Sequence, residues 1–178
     1  KLQGLSLILT HLAKNKNYTR IDQELNNMTL PTEKDYLIEQ ICMTLLEYNN
    51  PDLVIKKTTQ ISSVLIQNRV QKKLAFYYIE NNAIDSALQL AQNMQSTLEK
   101  SLIFQKVLYQ DISQNTDTSF TSLLSSIHSE KIKSETLKKV VQFYIKKNQL
   151  KKASEFATNI PNNNTRSEMV GKIAIQHA

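Results

Sequence analysis

The chain repeats its apolar pattern every 33 residues, and that period limits its fold more than any other feature of the sequence. Counted backward from Ile160 at that interval come Ile127, Met94, Ile61 and Met28, apolar each time and with no gap. A second column reads Ala153, Phe120, Ala87, Val54 and Ile21. A third reads Ile173, Val140, Val107, Leu74, Ile41 and Ile8, with Ala174, Val141, Leu108, Ala75, Cys42 and Leu9 running beside it. Such a register is the mark of one supersecondary unit copied along the chain, each copy too small to bury its apolar face alone.

Within a period the apolar places fall into two groups at helical spacing, for example Ala87, Leu90, Ala91 and Met94, then Ile103, Phe104, Val107 and Leu108. Each group predicts one amphipathic helix, so each period is a helical hairpin. The breaks carry turn chemistry. Pro31-Thr32 with Asp35, Ser96 with Glu99, and Pro161 followed by Asn162 are sites where side-chain oxygens can cap the amides of the next helix. Asn49, Asn82, Asn115 and Asn148 recur 33 apart at the ends of the second helices, and asparagine is the usual non-glycine residue in the left-handed conformation that closes a helix. The expectation is an all-α, right-handed α-α superhelix forming a single domain over residues 1–178. It comprises a lone helix over 2–14 and five hairpins starting near Tyr18, Pro51, Ile84, Asp117 and Leu150. With the helical pattern still running at its last residues, the expectation is that the chain is a piece of a longer one.

This pattern resembles the tetratricopeptide repeats. That family's hairpin carries large and small residues at its fourth, seventh, eighth and eleventh places. From Ile84 these places hold Ala87, Leu90, Ala91 and Met94, and from Leu150 they hold Ala153, Phe156, Ala157 and Ile160. The chain differs in placing Leu25 and Leu124 at the eighth place of two repeats, and asparagine where the family has a late proline. The resemblance implies a non-enzymatic α-solenoid that binds peptide segments or partner proteins.

Composition narrows the chemistry. Only two glycines occur, Gly4 and Gly171, so no glycine-rich loop can cradle a nucleotide phosphate. Cys42 is the sole cysteine and shares a column with Ala75 and Val141, which predicts a buried, inert thiol. His11, His128 and His177 are scattered without metal-ligand spacing. No catalytic residue, cofactor or metal is expected, and no small-molecule substrate. The longest apolar stretch, near Leu5 to Leu9, is far shorter than the ~20 residues of a membrane span. The cytoplasm is the expected location, with a secreted bacterial effector as the alternative, and the Asn- and Lys-rich composition suits an AT-rich bacterial genome.

Two surfaces are candidates for function. The first is polar and lies on the first helices: Asp22, Asn26, Asp52, Lys56, Asp85, Gln89, Gln92, Ser122, Ser125, Glu155 and Asn159, read as the surface that binds a partner protein or extended peptide. The second is a lysine ladder, Lys73, Lys106, Lys139 and Lys172, on the outer face of the second helices. With a net charge of +6 it is the basis of the alternative reading, a module binding nucleic-acid phosphates. A further basic column, Lys1, Lys34, Lys100, Lys133 and Arg166, falls at helix starts, where the helix dipole disfavours cations. Its long side chains are expected to reach carbonyls freed at a preceding helix end. Tyr77, Tyr78, Phe143 and Tyr144 are read as packing between repeats rather than as a peptide-binding face.

Overall fold

The computed structural model describes residues 2–116 and 120–177. Their regular structure is entirely helical, in eleven helices, and no strand occurs among the described residues. The chain consists of two compact units, Lys1–Asn81 and Asn82–Ala178.

In the first unit the long helices are α1 (Leu2–Lys14), α3 (Pro31–Glu47) and α5 (Val64–Glu80), alternating with the short α2 (Tyr18–Asn26) and α4 (Pro51–Thr58). Helix α3 packs against both α1 and α5, α2 packs on α1, and α4 packs on α3 and α5. The second unit repeats the scheme with α6 (Ile84–Asn93), α7 (Thr97–Ser113), α8 (Phe120–Ser125), α9 (Glu130–Lys146), α10 (Leu150–Thr158) and α11 (Asn163–His177). There α9 packs against both α7 and α11, with α6 on α7, α8 on α7 and α9, and α10 on α9 and α11. Helices start at Leu2, Tyr18, Pro51, Ile84 and Leu150, as the period predicts, while the start expected near Asp117 lies outside the described residues.

The columns make the core. Ile21, Val54, Ala87, Phe120 and Ala153 are buried on the short helices, and Ile41, Leu74, Val107, Val140 and Ile173 on the long ones. Ile8 departs from its column at 57% exposed, and at the other end Ala174 is exposed. Helices α1 and α11 have fewer packed neighbours than α3 or α9, so a residue buried in the middle of a unit faces water there.

The asparagines close the long helices as expected. Asn49, Asn82, Asn115 and Asn148 have φ of 56°, 58°, 61° and 56°, and Lys16, in the same column, has 58°. The residue after four of these five left-handed positions donates back across the helix end. Asn17 N–H reaches Leu12 O, Asn50 N–H Leu45 O, Thr116 N–H Asp111 O and Gln149 N–H Tyr144 O, all at 2.9 Å. These are the six-to-one bonds that satisfy otherwise free carbonyls.

At the helix starts, Ser63, Ser96 and Ser129 cap α5, α7 and α9 through their hydroxyls. Helix α3 corrects the sequence reading. It begins at Pro31 with Leu30 as its uncapped flank, so Thr32 lies inside the helix and Asp35 has another task.

Candidate binding surfaces

That task is to join hairpins. Asp35 is buried, and its carboxylate accepts the backbone N–H of Ser62 at 2.9 Å and of Ser63 at 2.7 Å, in the turn before α5. At 33-residue intervals after Asp35 stand Asn68, Ser101 and Ser134, all buried. Ser101 Oγ accepts the N–H of His128 at 3.3 Å, and Ser134 Oγ that of Asn162 at 3.2 Å. Asp35, Ser101 and Ser134 thus each place a buried polar acceptor against the turn before the next long helix, where it satisfies backbone amides. The sequence carries a signal for this, a column that starts at Leu2 and is polar from Asp35 through Asn68, Ser101 and Ser134 to Ser167.

On the short helices the sequence-derived binding residues are presented to solvent. Asn26, Asp52 and Lys56 in the first unit, and Asp85, Gln89, Gln92, Ser122, Ser125, Glu155 and Asn159 in the second, are exposed. Two of these bond to their own backbone: Ser125 Oγ donates to Ser122 O at 2.6 Å, and Asn159 Nδ2 to Glu155 O at 2.8 Å. Asp22 is different. It is half-buried and pairs with Lys57, whose side chain is only 6% exposed and whose 33-residue column continues with Leu90, Leu123 and Phe156 after starting at Glu24. Asp22 therefore holds α2 against α4 rather than standing free.

The lysine ladder is partly engaged. Lys73, Lys139 and Lys172 are exposed and Lys106 is half-buried. The Lys139 ammonium sits 3.8 Å from the centre of the Tyr109 ring. Lys172 shares Glu168 with Lys138, at 2.8 and 2.7 Å, and these two charged hydrogen bonds hold the Glu168 carboxyl below its ordinary pKa. In the other basic column Lys100 Nζ donates to Gln92 O, in the last turn of α6, at 3.1 Å, while Lys1 lies outside the described residues. Arg166 bonds Asn163 on its own helix, and Lys34 and Lys133 are half-buried.

The aromatic residues pack. Phe143 and Tyr144 are buried, and Phe120, Phe143, Tyr144 and Phe156 form one cluster with ring centres 5.3 to 5.9 Å apart. Tyr77 and Tyr78 meet edge-on at 5.9 Å. Cys42 is fully buried, and burial pushes its thiol pKa up to about 12, so the thiol stays protonated at neutral pH. His11 bonds Asn15 at 2.8 Å and His128 the carbonyl of Ser126 at 2.8 Å, while the side chain of His177 lies outside the described residues. No three of the described His, Cys, Asp and Glu residues come together to hold a metal ion, and no helix of the described residues is long and apolar enough to cross a membrane.

No protein-family model, curated protein or solved structure matches this chain.

Proposed function

We propose that the chain is a tetratricopeptide-like helical-repeat scaffold that holds a partner protein, or an extended segment of one, against the polar faces of its short helices. The observation that carries this reading is the division of those helices into two faces. Ala87 and Ala91 on α6, and Ala153 and Ala157 on α10, are fully buried, while Asp85, Gln89, Gln92 and Glu155 beside them are exposed. Buried alanines bring a helix close to its neighbours and fix it rigidly. An exposed row of amides, hydroxyls and carboxylates on a rigid element then offers donors and acceptors with little ordering cost on binding. The pairing of Lys172 with Glu168, which Lys138 shares, makes a nucleic-acid module the weaker reading.

A photo-crosslinking residue placed at Gln89, with one at exposed Lys131 as control, tests the reading in lysate. A discrete protein crosslinked from Gln89 only, and lost in a Gln92→Arg background of unchanged helical content, is the expected result. Failure of the folded chain to crosslink any protein, or equal yield from both positions, would sink it.

A further inference from the structure

One side-chain bond recurs at a spacing of 28 residues, once within each unit. The Tyr77 hydroxyl donates to Asn49 Oδ1 at 3.4 Å, and the Gln110 amide to Asn82 Oδ1 at 2.7 Å, partners 28 residues apart in both cases. The next pair in the series is Asn115 and Phe143, and a phenyl ring has no hydrogen to donate. The exposed side-chain amide of Asn115 is thereby released from this tie. Beside it opens a cleft of about 540 Å³, whose polar lining is Lys139, Gln142, Lys146, Lys147 and Asn115 over a base that includes Phe143. None of its described lining residues is acidic.

The cations are set in place. Lys147 Nζ donates to Asn115 O at 3.0 Å and sits 4.3 Å from the Phe143 ring centre, and Lys139 is steadied over Tyr109. Lys146, at the end of α9, is exposed. Along α9 the step from Lys139 to Lys146 and Lys147 is seven to eight residues, roughly 10–12 Å at the helical rise. An extended peptide places side chains four residues apart on one face at about 13 Å. The two spacings agree.

We propose that this cleft binds an extended acidic peptide segment. Carboxylates about four residues apart meet Lys139 at one end and the Lys146–Lys147 pair at the other. The side-chain amides of Asn115 and Gln142 hydrogen-bond the peptide backbone between them. A nucleic-acid strand fits less well. The Phe143 ring is buried and the Tyr109 ring is covered by the Lys139 ammonium, so neither offers a base a face to stack on. The cleft lies apart from the exposed residues of the short helices and does not depend on what they bind.

Fluorescence anisotropy provides the test, using a labelled peptide of about twelve residues with Glu at alternate positions, its Gln counterpart, and a single-stranded oligonucleotide of similar charge. At physiological salt the Glu peptide should saturate the protein and the Gln peptide should not bind. Reversing Lys139→Glu with Lys146→Glu should weaken the Glu peptide about tenfold or more, whereas Lys131→Glu with Lys151→Glu, the same charge change elsewhere, should weaken it less than about twofold. If the cleft reversal loses helical content, Asn115→Gly with Lys146→Ala replaces it, keeping a residue that suits the left-handed backbone, with a loss of about threefold expected. Gln92→Arg should leave peptide affinity unchanged, so failure here and failure of the short-helix surface are separable. Absence of saturable binding, equal losses from cleft and control variants, or preference for the oligonucleotide would overturn the proposal.

Discussion

The carboxylate of Asp35 lies 2.7 Å from the backbone nitrogen of Ser63, so a long helix of one hairpin accepts a hydrogen bond from the turn that starts the next long helix. A second amide, that of Ser62, donates to the other oxygen at 2.9 Å. Removing a buried acceptor leaves its donors unsatisfied, and Asp35→Ala should cost about 2–3 kcal/mol in urea unfolding followed by circular dichroism. Asp35→Ser, which copies Ser101 and Ser134 at the same place, should lose clearly less. Equal losses from the two variants would mean that packing, not acceptance, matters there.

The Asp22–Lys57 pair is expected to respond asymmetrically. Lys57 is buried with Asp22 as its ionic partner, so Asp22→Ala leaves an ammonium with little solvent and no counter-charge and should destabilise by about 1–3 kcal/mol. Lys57→Leu restores the residue type found at Leu90 and Leu123 and should stay within about 1 kcal/mol of the parent in either direction. Thermal unfolding of both variants at matched salt checks the order, and a Lys57→Leu cost exceeding that of Asp22→Ala would contradict it.

Helix closure can be tested at both ends of its column. Asn148 has φ 56°, so Asn148→Gly should be neutral or slightly stabilising and Asn148→Val should lose on the order of 1 kcal/mol, since a β-branched residue tolerates that conformation badly. Lys16 holds the same conformation without the help of an amide side chain, and Lys16→Gly should gain roughly 0.5–1 kcal/mol. Identical midpoints for the two Asn148 variants would remove the conformational argument.

Cys42 gives a pH dependence with a definite sign. Burial raises the thiol from 9.0 to about 12 in the folded chain, so above pH 9 the unfolded state loses this proton first. The stabilisation from the buried neutral thiol is thus complete below pH 9 and declines toward pH 12, by up to about 1.4 kcal/mol per pH unit. The stability advantage of the parent over Cys42→Ala should shrink across that window, and alkylation of the native thiol at pH 8 should follow unfolding rather than exposure. A constant difference between pH 8 and 11 would show that the folded thiol titrates normally.

Much of this architecture is legible in the residues themselves. Helix positions follow from local causes: apolar groups at helical spacing, Ser96 as an N-cap, and asparagines whose left-handed backbone ends each long helix. These depend on neighbours within a few positions, and a 33-residue period repeats them, so one strand of text suffices to place the hairpins. What the tertiary structure decided concerns residues 27 to 35 apart, which the text shows only as neighbours in a column. It took Asp35 from capping its own helix to binding the Ser62 and Ser63 amides, committed Asp22 to a buried lysine, and left Ile8 exposed where its column is otherwise buried. It also put Phe143 opposite Asn115, opening the cleft beside Lys146. Periodicity reports which residues are alike; hydrogen bonds and ion pairs depend on which unlike residues meet, and packing the helices together is what determines that.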